Sequence, residues 1–109
     1  MEQIVLRDIR KSTKIELPSY KGSEIELYDD LLFGEIDKIN KIKDDTEKGY
    51  AVLVDLIKGW NLYDEEGKKL DPAKEVFMKL PVKDLTFLMQ KVNKIFNPEK
   101  EEVKKNSKS

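Results

Sequence analysis

The residue types on which catalysis and metal binding most often depend are missing from this chain: among 109 residues there is no histidine and no cysteine. Thiolate nucleophiles, disulfides and zinc–thiolate sites are thereby excluded, and Ser12, Thr13, Ser19 and Ser23 have no imidazole to activate them. The chemistry that remains belongs to carboxylates and lysines. Twenty-two acidic residues offer so many acid–base pairs that no single pair is informative. The glycines, at 22, 34, 49, 59 and 67, stand too far apart to form a phosphate-cradling loop. The acidic stretch around Gly67 invites comparison with a calcium-binding loop that carries glycine at its sixth position. That register puts Leu62 first and Ala73 twelfth, where oxygen ligands are required. The expectation is a protein that holds another protein, with no enzymatic activity, no cofactor and no metal.

Composition narrows the partners. Charged residues form 39% of the chain, against about 25% in an average domain. The 21 basic and 22 acidic groups nearly cancel, and the sequence pI is near 5.6. A nucleic-acid binder would show a basic surplus able to displace phosphate counterions, so none is expected here. No uncharged run approaches the roughly 20 apolar residues of a membrane-spanning helix. The first residues, MEQIVLRDIRK, hold no apolar core of signal-peptide length, and the absence of cysteine suits a reducing compartment. A cytoplasmic protein without a membrane partner is the expectation.

The elements that must position any binding residues follow from periodicity. Val, Ile, Leu and Phe make up 32 of 109 residues, enough for one core. Residues 3 to 9, with Ile4, Val5, Leu6 and Ile9, read as a short strand. Alternation at 14 to 17 and 24 to 27, joined by Pro18-Ser19-Tyr20-Lys21-Gly22, reads as a β-hairpin with Ile15, Leu17, Ile25 and Leu27 facing inward. Helical spacing then runs over about 30 to 43, through Leu32, Ile36 and Ile39. A second helix opens on an Asp44 cap with Glu47 three residues later and extends to about Trp60, with Leu53, Leu56, Ile57 and Trp60 at i, i+3, i+4, i+7. Residues 61 to 70 form a loop. Asp71-Pro72 reopens helix as cap and first position, carrying Ala73, Val76, Phe77 and Leu80. The last helix spans about 82 to 96. The fold class is therefore α+β: an N-terminal hairpin, with room for a third strand, followed by about four short helices in one domain of residues 1–97. Residues 98–109 hold one apolar side chain and read as a mobile charged tail.

Three features are candidates for contact. Glu16, Glu24 and Glu26 share the outer face of the hairpin, either as an acidic patch for a basic partner or a cation or as a solvated face relieved by Lys14 and Lys21. Trp60 is either an interface anchor or a core residue whose N–H bonds a loop carbonyl. Phe87 lies off the apolar stripe of the last helix near Lys83, Lys91 and Lys94, so Phe87 and Lys91 join Trp60 as candidate partner-binding residues.

The segments WNLYDEEGKKLDP and LPVKDLTFLMQKVNKI, together with Lys14 to Ser19, resemble the tail assembly chaperones of long-tailed bacteriophages. The matching positions are Ile57, Trp60, Asn61, Leu62, Asp64, Gly67 and Leu70, then Leu80, Pro81, Asp84, Leu85 and Leu88. The resemblance covers roughly residues 12 to 96. It implies a cytoplasmic protein of the bacterial host that binds the tape measure protein, keeps it soluble, helps recruit tail-tube protein and is absent from the finished virion. It also implies a longer frameshifted form of the same chain, for which codons at Lys104, Lys105 and Asn106 permit a slippery run of adenines. Weak self-association would suit a protein that coats a long partner. A structural tail or connector component, or a small bacterial adaptor or regulator, is the alternative.

Overall fold

The computed structural model describes residues 1–96; the tail and the Lys104–Asn106 region lie outside the described residues. The architecture is α+β. Strand β1 (Ser12–Ile15) pairs antiparallel with β2 (Ile25–Tyr28), placing Ile15 opposite Ile25 and Lys14 opposite Glu26. The hairpin alternates as expected, and Leu17, Ile25 and Leu27 are buried while Ile15 is half-buried. Gly22 closes the connecting loop at φ 88°, a left-handed conformation that glycine adopts without strain.

Helix α1 (Phe33–Asn40) follows, shorter than its sequence pattern. Glu35 accepts a hydrogen bond from the Leu32 N–H at 2.8 Å and so satisfies one free donor at the helix start. Helix α2 (Asp45–Leu56) begins on the expected cap, with the Asp44 carboxylate accepting from the Glu47 N–H at 3.0 Å.

The second helix does not continue to Trp60. At Ile57 the backbone turns extended, and β3 (Ile57–Trp60) joins the sheet in the order β1–β2–β3. Ile25 pairs with Trp60, Glu26 with Gly59 and Leu27 with Ile57, so that Lys58 is bulged out of the ladder. This bulge explains the misleading pattern. In a regular strand, residues three apart face opposite sides; with one residue unopposed, Ile57 and Trp60 both turn inward and mimic helical spacing. Gly59 also disfavours helix, by about 1 kcal/mol relative to alanine.

Residues 62–70 form a small reverse turn closed by a bridge between Tyr63 and Lys69. The Asp64 carboxylate accepts from the backbone N–H groups of Glu66 and Lys68, both at 2.9 Å, and Gly67 takes φ 83°. Helix α3 is a single turn (Lys74–Phe77) capped by Ala73, so Asp71 and Pro72 do not open it. Leu70 donates to the Leu62 carbonyl at 3.0 Å and accepts from the Trp60 indole, which keeps the chain extended past the expected start. Helix α4 (Val82–Phe96) spans its expected range.

The strand expected at 3–9 does not form. Those residues carry no regular secondary structure, and their apolar side chains stand away from the body. A strand exists only by pairing, and here these residues pair with no described segment. The core instead gathers Leu17, Ile25, Leu27, Leu53, Leu56, Phe77, Leu88 and Val92 between one face of the sheet and α2–α4. Phe77, fully buried, stacks on Tyr50 at 6.1 Å and meets Trp60 edge-on at 6.0 Å.

Candidate functional site: an apolar surface at the root of an exposed arm

Trp60 is a core residue. It is 5% exposed, and its indole N–H donates to the Leu70 carbonyl at 2.7 Å. It is therefore not displayed as an interface anchor. Phe87 is half-buried and packed against the core rather than exposed, and the Lys91 ammonium lies 5.1 Å from its ring centre. On one helix a four-residue spacing brings such a pair together, so Lys91 covers the aromatic face that was expected to be open. Phe87 and Lys91 thus lie together on α4, and Trp60 lies in the core against which Phe87 packs.

The carboxylates of the hairpin do share a region, but each is engaged. Glu26 accepts from the Ser12 hydroxyl and lies 3.7 Å from the Lys58 ammonium; the hydroxyl first, and then the charges of Lys58 and Lys14, hold its pKa below the ordinary range. Glu24 lies 4.0 Å from Lys14, and Glu16 accepts from the Gly22 N–H at 2.6 Å. The solvated, charge-relieved face is the arrangement found. Among the described residues no three acidic side chains converge in a group suited to a metal ion.

The apolar surface that is displayed lies elsewhere. Phe33 is 83% exposed, and Ile36, one turn along α1, joins it on the same flank beside exposed Leu32. Next to this flank is the root of residues 1–9. The half-buried Arg10 side chain lies 3.7 Å above the Tyr28 ring, donates to the Asp30 carbonyl at 3.1 Å, and pairs with Asp8 at 2.7 Å and Glu35 at 3.3 Å. Its planar fork serves several acceptors at once, which a lysine ammonium could not do in the same geometry. Nearby, burial and then the Glu35 charge raise the Asp55 carboxyl. Sequence reasoning missed this surface because Leu32 and Ile36 fit the core stripe of a helix; only Ile39 of that stripe is buried.

The clasp has a measurable signature. Hydrogen bonds from the Arg10 side chain and backbone hold the Asp8 carboxyl at about 2, below its ordinary 3.8. A depressed carboxyl stabilises the folded arrangement above the ordinary range and loses that contribution as pH falls through about 2. The root is thus expected to stay closed throughout neutral and mildly acid solution. In Arg10→Ala, the Asp8 carboxyl should titrate near 3.8 by NMR, and backbone order at residues 8–11 should drop. An unmoved Asp8 titration would refute the clasp.

Asn61 and Asp84 tie distant parts of the fold together. Asn61 accepts from the Glu24 N–H at 2.7 Å and donates to the Gly22 carbonyl at 3.1 Å. The fully buried Asp84 accepts from the Ser19 N–H at 2.9 Å, tying the hairpin loop to the first turn of α4, while its second oxygen has no partner among the described residues. With the Trp60–Leu70 bond and the Asp64 turn, these positions build the scaffold. No helix among the described residues is long and apolar enough to cross a membrane. Comparison with family models, with curated proteins and with solved structures finds no match to this chain.

Proposed function

We propose that this chain is a tail assembly chaperone of a long-tailed bacteriophage or prophage, which binds the tape measure protein reversibly, keeps it soluble and helps recruit tail-tube protein. The observation that carries the reading is the combination, on one small scaffold, of the resembling fold-setting residues with an exposed apolar flank at Leu32, Phe33 and Ile36. An aromatic and two aliphatic side chains on one helix end form the kind of surface that takes the apolar face of an amphipathic partner helix. The dense mixed charge around it, 39% of the chain, favours solubility at high copy number. Binding of this kind requires no reactive side chain, which agrees with a composition free of histidine and cysteine.

Co-expression tests it. A tape measure protein encoded beside this chain should move from the insoluble to the soluble fraction and co-purify with it. Phe33→Asp with Ile36→Asp should abolish that effect while leaving the melting temperature nearly unchanged, because Phe33 is largely exposed and Ile36 is partly so. A partner that stays insoluble with the wild-type chain defeats the proposal. Full rescue by the double variant moves the binding surface elsewhere.

A further inference from the structure

Residues 1–9 pose a separate question, since Ile4, Val5 and Leu6 are 86%, 77% and 99% exposed and nothing among the described residues covers them. Three consecutive aliphatic residues, two of them β-branched, favour an extended chain with alternating faces, so Ile4 and Leu6 share one side. Such a segment gains stability by pairing with a sheet edge.

The body of the molecule has an edge suited to it. β3 is the last strand of the sheet, and on the side away from β2 it makes no backbone hydrogen bond to another described segment. A cavity of about 310 Å³ runs beside it, between Ile57 and Gly59 on one wall and Leu70 and Pro72 on the other, with Val54 also contributing. Trp60 lines it too, and no β2 residue does. The rim carries Lys58, Lys69 and Asp71, and the arm carries Glu2 and Arg7 on either side of its apolar run. The opposite edge, β1, presents exposed Thr13 and Lys14 instead.

We propose that the arm of one copy adds as a fourth strand to the open edge of β3 in a second copy, seating Ile4 and Leu6 in the cavity. The occupant is a second copy for two reasons. The Arg10 clasp fixes the root of the arm beside β2 and α1, and from there the arm leaves its own body uncovered. Arm and cavity are also complementary parts of one chain, so two copies related by a twofold axis satisfy both at once and leave no free end to propagate. This exchange does not depend on the chaperone reading, and it leaves the Phe33 flank free.

Sedimentation of the full chain over a range of concentrations tests the inference. The wild type should form a dimer that dissociates on dilution. Ile4→Asp with Leu6→Asp should weaken that dimer at least about tenfold while matching the wild-type melting curve at dilutions where the wild type is monomeric, since the arm adds nothing to the core. Because the chain has no cysteine, Leu6→Cys and Lys58→Cys can be made as separate proteins and mixed under oxidising conditions; a disulfide-linked heterodimer is expected. A wild type that stays monomeric, a dimer indifferent to the arm substitutions, or a mixture in which Leu6→Cys fails to capture Lys58→Cys would each overturn the proposal. Co-purification of the arm variant with a tape measure protein is scored independently, so failure of one idea does not disguise failure of the other.

Discussion

Phe77→Ala is expected to unfold far more readily than the wild-type chain, with a loss of about 3–5 kcal/mol, the usual cost of removing a buried phenyl ring. Phe77 is fully buried on the single turn of α3, stacked on Tyr50 and edge-on to Trp60, so its ring fastens a short helix that has little propensity of its own. Domains of this size have a total stability of about 5–15 kcal/mol, which makes the loss a large share of the whole. Each kcal/mol lowers Tm by about 4–8 °C in a small domain, so a fall of more than 10 °C, about the minimum this implies, should appear in calorimetry. Phe77→Leu keeps most of the apolar volume and should lose much less. A Phe77→Ala melt within a degree or two of wild type would mean that α3 does not close the core.

The second large effect is expected at Trp60→Ala, again about 3–5 kcal/mol for the ring, with the Leu70 carbonyl also losing its donor. Trp60→Phe separates these contributions, since it preserves an aromatic ring in the core and removes the indole N–H; the loss of that hydrogen bond alone should cost about 0.5–1.5 kcal/mol. The edge-on contact with Phe77 predicts coupling, and a double-mutant cycle over the two positions should return about 0.5–1.5 kcal/mol. Trp60 is the only tryptophan, so its fluorescence reports unfolding directly in the Phe77 variants. The same substitution distinguishes core residue from interface anchor. Trp60→Phe should leave partner binding intact at temperatures where the fold is intact, whereas an anchor would lose binding without losing stability.

The apolar flank of α1 and the exposed arm bear on function in different ways. The flank is fixed by a helix and held next to the Arg10 clasp, so its side chains can act as a preorganised surface. The arm gains order only when something pairs with it. Separate surfaces would allow a protein to associate with itself and with a long partner without competition between the two contacts.

Much of the fold is legible along the chain. The alternation around Ile15 and Ile25 states which face of the hairpin is buried, because side chains in a strand have a period of two. The Asp44–Glu47 cap and the stripe ending at Phe96 mark helix limits, because capping bonds and the 3.6-residue period are local. What misled was equally local. Ile57 and Trp60 keep helical spacing but belong to a bulged strand, and the choice between the two was made by β2, more than 25 residues earlier in the chain. Residues 3–9 have the composition of a strand and lack only a neighbour.

The candidate surface was less legible still, since exposure is a property of what packs against a residue and not of the residue. Leu32 and Ile36 look like core in the sequence and stand at the surface; Phe87 looks exposed and is half-covered by the core and by Lys91. The sequence by itself determined the absence of imidazole and thiol chemistry, the α+β class and the inward faces of the hairpin, because composition is complete in the chain and periodicity is set by neighbours. The tertiary structure alone decided that Trp60 is buried, that β3 replaces the end of a helix and that an apolar arm is left unpaired, because each depends on free energy exchanged between segments distant in the chain.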